Sequence, residues 1–199
     1  MNLDEIHVLR DLVEGEDAVV FVTGQVGSGK TTVVEKLENF GYGVMYLGRE
    51  IRSFPDLMRL LNEDNSGELA PTATEAFVRT SVEEKLKTDI NTLVVDGMPR
   101  SVSQVEFCLK VCRSYDRQPV FVLVSAPQEK RRARFALRNR EDDVGNRFRM
   151  DQNDVLMKPV VHAIIEAAEK SRWVRFFNVN NDEEVVTSHG DNLRRGSAE

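Results

Sequence analysis

The stretch that most restricts how this chain folds is FVTGQVGSGKTTVVEKL, beginning at Phe21. An apolar run, AVVFVTG from Ala18 to Gly24, reads as a strand buried on both faces. It leads into a loop with glycines at 24, 27 and 29, and then into TTVVEKLENF, which reads as a helix. Gly24, Gly29, Lys30 and Thr31 satisfy the pattern GxxxxGK[ST]. Glycine tolerates backbone angles and close approaches that a side chain forbids. The amide groups around Gly27, Ser28 and Gly29 can therefore converge on phosphate oxygens at a helix start. Lys30 reaches the β and γ phosphates, the Thr31 hydroxyl is placed for Mg²⁺, and Thr32 keeps a second hydroxyl beside the phosphates. A turn that merely joins strand to helix needs neither the lysine nor the hydroxyl at those offsets. The loop implies a nucleoside triphosphate such as ATP, with Mg²⁺.

The rest of the chain repeats the alternation. VMYL (44–47), TLVVDG (92–97), PVFVLVSA (119–126) and WVRFFNVN (173–180) are short β-rich runs separated by helix-length segments. Nearly continuous apolar strands between helices predict an α/β fold, a parallel five-stranded sheet with helices on both faces in three layers. At 199 residues with 41% hydrophobic composition, the chain suits one domain. Its core is expected over about 18–48, 88–137 and 150–195. Two segments read as excursions: 49–87, where Thr72 and Glu75 have the spacing of a helix-capping pair, and 138–149, from the charged stretch RNREDDVGNRFR. The tail after Arg194, RGSAE, is expected to be disordered.

A net charge of −6 supplies no global positive field, which weighs against nucleic acid as a partner without excluding a bound single strand. Cys108 and Cys112 stand at i and i+4, a spacing for buried small hydrophobes on one helix face. His7, His162 and His189 are scattered and form no zinc pattern. MNLDEIHVLRDLVEGED carries acids where a signal peptide needs bases, and no run reaches the length of a membrane span. A cytoplasmic setting is expected, and nothing in the sequence calls for an obligate protein partner.

Asp96 closes the run TLVVD, where the carboxyl end of a parallel strand would bring it beside the loop, near a metal. Asp-Gly is equally a common strand-ending turn. The continuation DGMPRSVSQ, from Asp96 to Gln104, resembles the DG(F/Y)PR motif of the adenylate kinase family of nucleoside monophosphate kinases. GQVGSGKTT resembles that family's phosphate loop, GYGVMYLGREIR its acceptor-side arginine segment and SGELAP its G-x-L-V-P turn. RNREDD resembles its lid, and NRFRM the arginine-bearing start of the helix beyond. The similarity runs from about Val19 to Val186.

The resemblance implies roles for particular residues. Arg52 and Arg100 grip the acceptor's phosphate. Leu47, Leu69 and Gly97 line the acceptor site, and Gln104 meets the acceptor's base. Arg138 lies over the donor nucleotide, Arg140 and Arg149 close on the transferring phosphoryl group, and Asp96 joins Thr31 at the metal. Guanidinium forks suit a group carrying charge on three oxygens. Lys130, Arg131 and Arg132 read instead as a solvated helix face. Gln104, four residues after Arg100 as in that family, favours AMP or dAMP, whereas Leu47, Gly48 and Arg49 stand where the family carries Thr-Gly-Asp, so a more apolar, less demanding pocket is expected there. The lid is short and lacks zinc-binding cysteines. The implied activity is transfer of the ATP γ-phosphoryl to a nucleoside monophosphate. The alternatives are a P-loop kinase acting on a hydroxyl of a metabolite or of a modified base in nucleic acid, and a non-catalytic ATP-binding regulatory protein.

Overall fold

The apolar runs pair as one parallel sheet. The computed structural model describes residues 10–11, 17–57, 59, 73–88, 90–137 and 148–182, with the backbone alone at 73–75, 148, 149 and 152. Five strands, β1 (Ala18–Thr23), β2 (Gly43–Tyr46), β3 (Thr92–Asp96), β4 (Gln118–Ser125) and β5 (Arg175–Asn180), lie in the order β2-β3-β1-β4-β5. Every pairing is parallel. Among the described residues six helices connect or flank them: α1 (Lys30–Asn39), α2 (Leu47–Arg52), α3 (Ala73–Leu86), α4 (Val102–Ser114), α5 (Gln128–Leu137) and α6 (Phe148–Lys170). The expected α/β fold with a parallel five-stranded sheet is the one observed.

The two-residue period of the strands sorts the core into two layers. Val19, Phe21, Met45, Leu93, Val95 and Phe121 face one side, where Val78 and Val82 of α3, Val105 and Cys108 of α4, and Met157 and Ile164 of α6 cover them. Ala18, Val20, Val22, Val94, Val120 and Val122 face the other, packed on Val33, Val34 and Leu37 of α1. α2 and α3 thus share a core with the sheet. Cys108 and Cys112 are free and buried, as the spacing predicts, and burial pushes both thiols well above their ordinary pKa. No helix among the described residues is long and apolar enough to cross a membrane.

The strand order creates the site. After β1 the chain passes over β3 to form β2; after β3 it crosses to the other side of β1 to form β4. Their outgoing loops part at the carboxyl edge, where open α/β sheets bind ligands.

Candidate active site

Two loops meet at that edge. Gly24, Gly27 and Gly29 all adopt positive φ, at 143°, 77° and 89°. α1 begins directly on Gly29, with no side-chain cap and no acidic residue in its first turn, so its leading amides are left to an anion. Lys30 Nζ donates to the carbonyls of Gly24 and Gln25, each at 2.9 Å, and so lies folded along its own loop.

The second loop leaves β3. Val22 of β1 is in register with Asp96, which sets that carboxylate beside the root of the phosphate loop. Gly97 N donates to Val22 O at 2.9 Å, and Thr23 Oγ1 donates to Pro99 O at 2.6 Å, a bond buried between the two loops. Met98–Pro99 is a cis peptide. Arg100 follows with its side chain bent back, Nε donating to Gly97 O at 2.9 Å, while its own N–H donates to Gln104 Oε1 at 2.7 Å. Ser101 caps α4 by accepting from Gln104 N.

The structure thus brings together Gly24, Gly27, Ser28, Gly29, Lys30, Thr31, Asp96, Gly97, Arg100 and Gln104 on the two loops and the first turns they lead into. Thr31 and Asp96 offer the hard oxygen donors that Mg²⁺ takes, and the donor set fits that ion. Leu69, Thr72, Arg138 and Arg140 lie outside the described residues, as do the side chains of Glu75 and Arg149. Thr32 is exposed on α1. Arg52 is exposed at the end of α2, with its guanidinium across Gly48. Arg49 stacks on the Tyr46 ring, 4.0 Å from its centroid, and Tyr46 donates to Glu38 at 2.7 Å.

Two sequence readings require correction. Leu47 does not line a pocket. It is 1% exposed, within the same cluster as Met45 and Ile51, because the alternation of β2 carries one residue past the strand's end and turns Leu47 inward. Arg131 is not part of a solvated face. It is 3% exposed and holds Asp154 of α6 through both nitrogens, at 2.8 and 2.7 Å. The same guanidinium donates to Ala126 O at 3.2 Å and to Val26 O, in the phosphate loop, at 3.5 Å. Lys130 pairs with Asp182 at 2.8 Å, and that bond holds the Asp182 carboxyl below its usual range. Lys130, partly exposed in a surface pair, and Arg132, largely exposed and 3.7 Å from Asp151, keep the solvated description.

Three further residues grip the phosphate loop from outside. Asn153 Oδ1 accepts from Val26 N at 2.9 Å. Asn181 Nδ2 donates to Ser28 O at 2.9 Å, and Arg134 Nη1 donates to the same oxygen at 3.3 Å. Arg131 and Arg134, three apart on α5, share a helix face. That spacing is the signal from which both were recoverable.

A protein-family model described as an AAA domain, AAA_17, matches residues 23–173. The chain belongs to this AAA domain family. The family is one of P-loop nucleotide-binding proteins that include many kinases, so this AAA domain is a nucleotide-binding domain of the phosphotransfer kind. No curated protein matches the chain.

Proposed function

We propose that this AAA domain is a nucleoside monophosphate kinase, transferring the γ-phosphoryl of ATP to a monophosphate acceptor with Mg²⁺. The observation that carries the reading is the shared edge of β1 and β3. One side presents a phosphate loop with Lys30, and the other presents Arg100, fixed through Gly97 and Gln104. An arginine held opposite a triphosphate loop suits an acceptor that already bears phosphate, because a guanidinium fork matches phosphate oxygens.

In this reading an oxygen of the acceptor's phosphate attacks the γ-phosphorus. The bond from that phosphorus to the β–γ bridging oxygen breaks, and ADP leaves with the bond's electrons. The loop amides and Lys30 balance charge on the donor side as it moves to the bridging oxygen. Arg100 orients the acceptor, and proximity supplies much of the acceleration. Thr31 and Asp96 would hold Mg²⁺, which would supply neutralisation of the negative charge on the phosphates.

Gln104 fits a role in reading the acceptor base, with one change. Its carbonyl end is committed to Arg100 N, so the amide N–H₂ is the end that meets a base, which calls for an acceptor atom such as a purine ring nitrogen. The decisive assay supplies ATP, Mg²⁺ and a panel of ribo- and deoxynucleoside monophosphates, and reads diphosphate formation directly. AMP or dAMP is expected to be phosphorylated best. Phosphorylation of an oligonucleotide or a metabolite hydroxyl, with every monophosphate left unchanged, would overturn the proposal.

A further inference from the structure

In a trans peptide the carbonyl of one residue and the amide of the next point in opposite directions, so holding one aims the other. Apart from Met98–Pro99, no described peptide is cis. The rule applies to three peptides of the phosphate loop, Gln25–Val26, Val26–Gly27 and Ser28–Gly29. Asn153 takes the Val26 N–H, so the Gln25 carbonyl faces the other way, and it is there that Lys30 Nζ meets it at 2.9 Å. Arg131 takes the Val26 carbonyl, which turns the Gly27 N–H away from α5. Asn181 and Arg134 take the Ser28 carbonyl, which turns the Gly29 N–H away from them.

The glycines show how closely these neighbours press. A Cβ at Gly27 would lie 2.5 Å from Arg131 O, and one at Gly29 would lie 2.0 Å from Asn181 Nδ2. Both are below any distance a real side chain accepts. The bare faces of these glycines therefore meet the outer grip, and the opposite face of the loop carries the aimed amides.

We propose that Arg131, Asn153 and Asp154 are positioning residues for nucleotide triphosphate binding, fixing from outside the direction in which the Val26 peptide groups and the Gly27 amide point. Asp154 acts through Arg131, whose buried guanidinium it holds with two bonds. Asn153 and Asp154 are adjacent on α6, so a single helical turn sets both ends of Val26. The inference rests on the nucleotide-binding reading of the loop but is independent of the acceptor's identity.

The test uses the full chain, with ATP and AMP as separate probes and affinities measured well below the melting temperature. In R131M/D154L both members of the buried pair are replaced together, so no uncompensated charge is left inside, and replacements of this kind are often neutral for stability. ATP is expected to bind about tenfold more weakly, about 1.4 kcal/mol, with AMP affinity within about twofold of wild type. In the ligand-free protein the Gly27 amide resonance should shift. Asn153→Ala, which removes a single acceptor, is expected to weaken ATP about threefold, and it decides the matter alone if the double variant fails to fold. ATP affinity within about twofold of wild type in Asn153→Ala and in any folded double variant would overturn the proposal, whatever happened to the melting temperature. A wild-type chain that binds ATP yet phosphorylates no monophosphate would remove the acceptor reading and leave this comparison intact.

Discussion

On the β1 side of the crevice, the phosphate loop is held by side chains from three places in the fold: Arg131 and Arg134 on α5, Asn153 on α6, and Asn181 after β5. On the α2 side, Arg52 is exposed and its guanidinium rests across Gly48. Between these extremes stands Arg100, half-buried and bonded through both its backbone and its side chain. The phosphate loop is thus tied to the fold by four side chains, whereas Arg52 stands at the surface. Preorganised dipoles cost nothing to reorient when charge moves. An exposed arginine must give up rotamer freedom to bind.

The largest effect should come from a pair of glycine substitutions. Gly29→Ala forces a side chain onto φ 89° and onto Asn181 Nδ2 at 2.0 Å. The left-handed backbone alone costs about 1–2 kcal/mol. ATP binding should fall at least tenfold, with a lower melting temperature. At Gly48 an added Cβ would meet nothing closer than Arg52 Nη1 at 3.5 Å, so Gly48→Ala should leave ATP affinity unchanged. Titration of both variants with ATP checks this, and equal losses would erase the difference between the two sides.

Next in size is the contrast between the two arginines. Arg100→Ala removes a charge-assisted contact worth roughly 1.5–3 kcal/mol, so the acceptor KM should rise at least tenfold with ATP affinity little changed. Arg52→Ala acts on a solvent-screened contact and should raise the acceptor KM by only about threefold. Steady-state kinetics with each substrate varied in turn will show the order. A larger effect at Arg52 would mean that the acceptor phosphate sits toward α2.

The smallest effect concerns Gln104, whose Oε1 accepts from Arg100 N. Gln104→Ala should both flatten the ranking of acceptor bases and raise the KM for every monophosphate by about threefold, because one hydrogen bond to Arg100 is lost. A flattened ranking with no general rise in KM would confine Gln104 to the base.

The sheet was legible because each strand is an apolar run bounded by loop residues. The expected runs and observed strands agree within two residues at every end, as with 119–126 against Gln118–Ser125. The places of Lys30 and Asp96 at the sheet's carboxyl edge were legible because both stand at short spacings from a strand end. Leu47 was misread because nothing local marks the point at which β2 becomes α2, so its inward turn is a property of the packed sheet. Arg131 was misread because it stands in the charged run KRRAR, and its partner Asp154 is 23 residues away on another helix. Asn153 and Asn181 gave no local signal, since an asparagine gripping a distant backbone looks in sequence like one facing water.

The crevice as a two-nucleotide site can be examined with a bisubstrate probe, two adenosines joined through a polyphosphate chain, in calorimetric titration. One probe should bind per chain, with Lys30→Met and Arg100→Ala each weakening it at least tenfold, because both ends of the probe are engaged at once. If Lys30→Met weakens the probe while Arg100→Ala leaves its affinity at the wild-type value, only the triphosphate side is occupied, and the β3 loop is not an acceptor site.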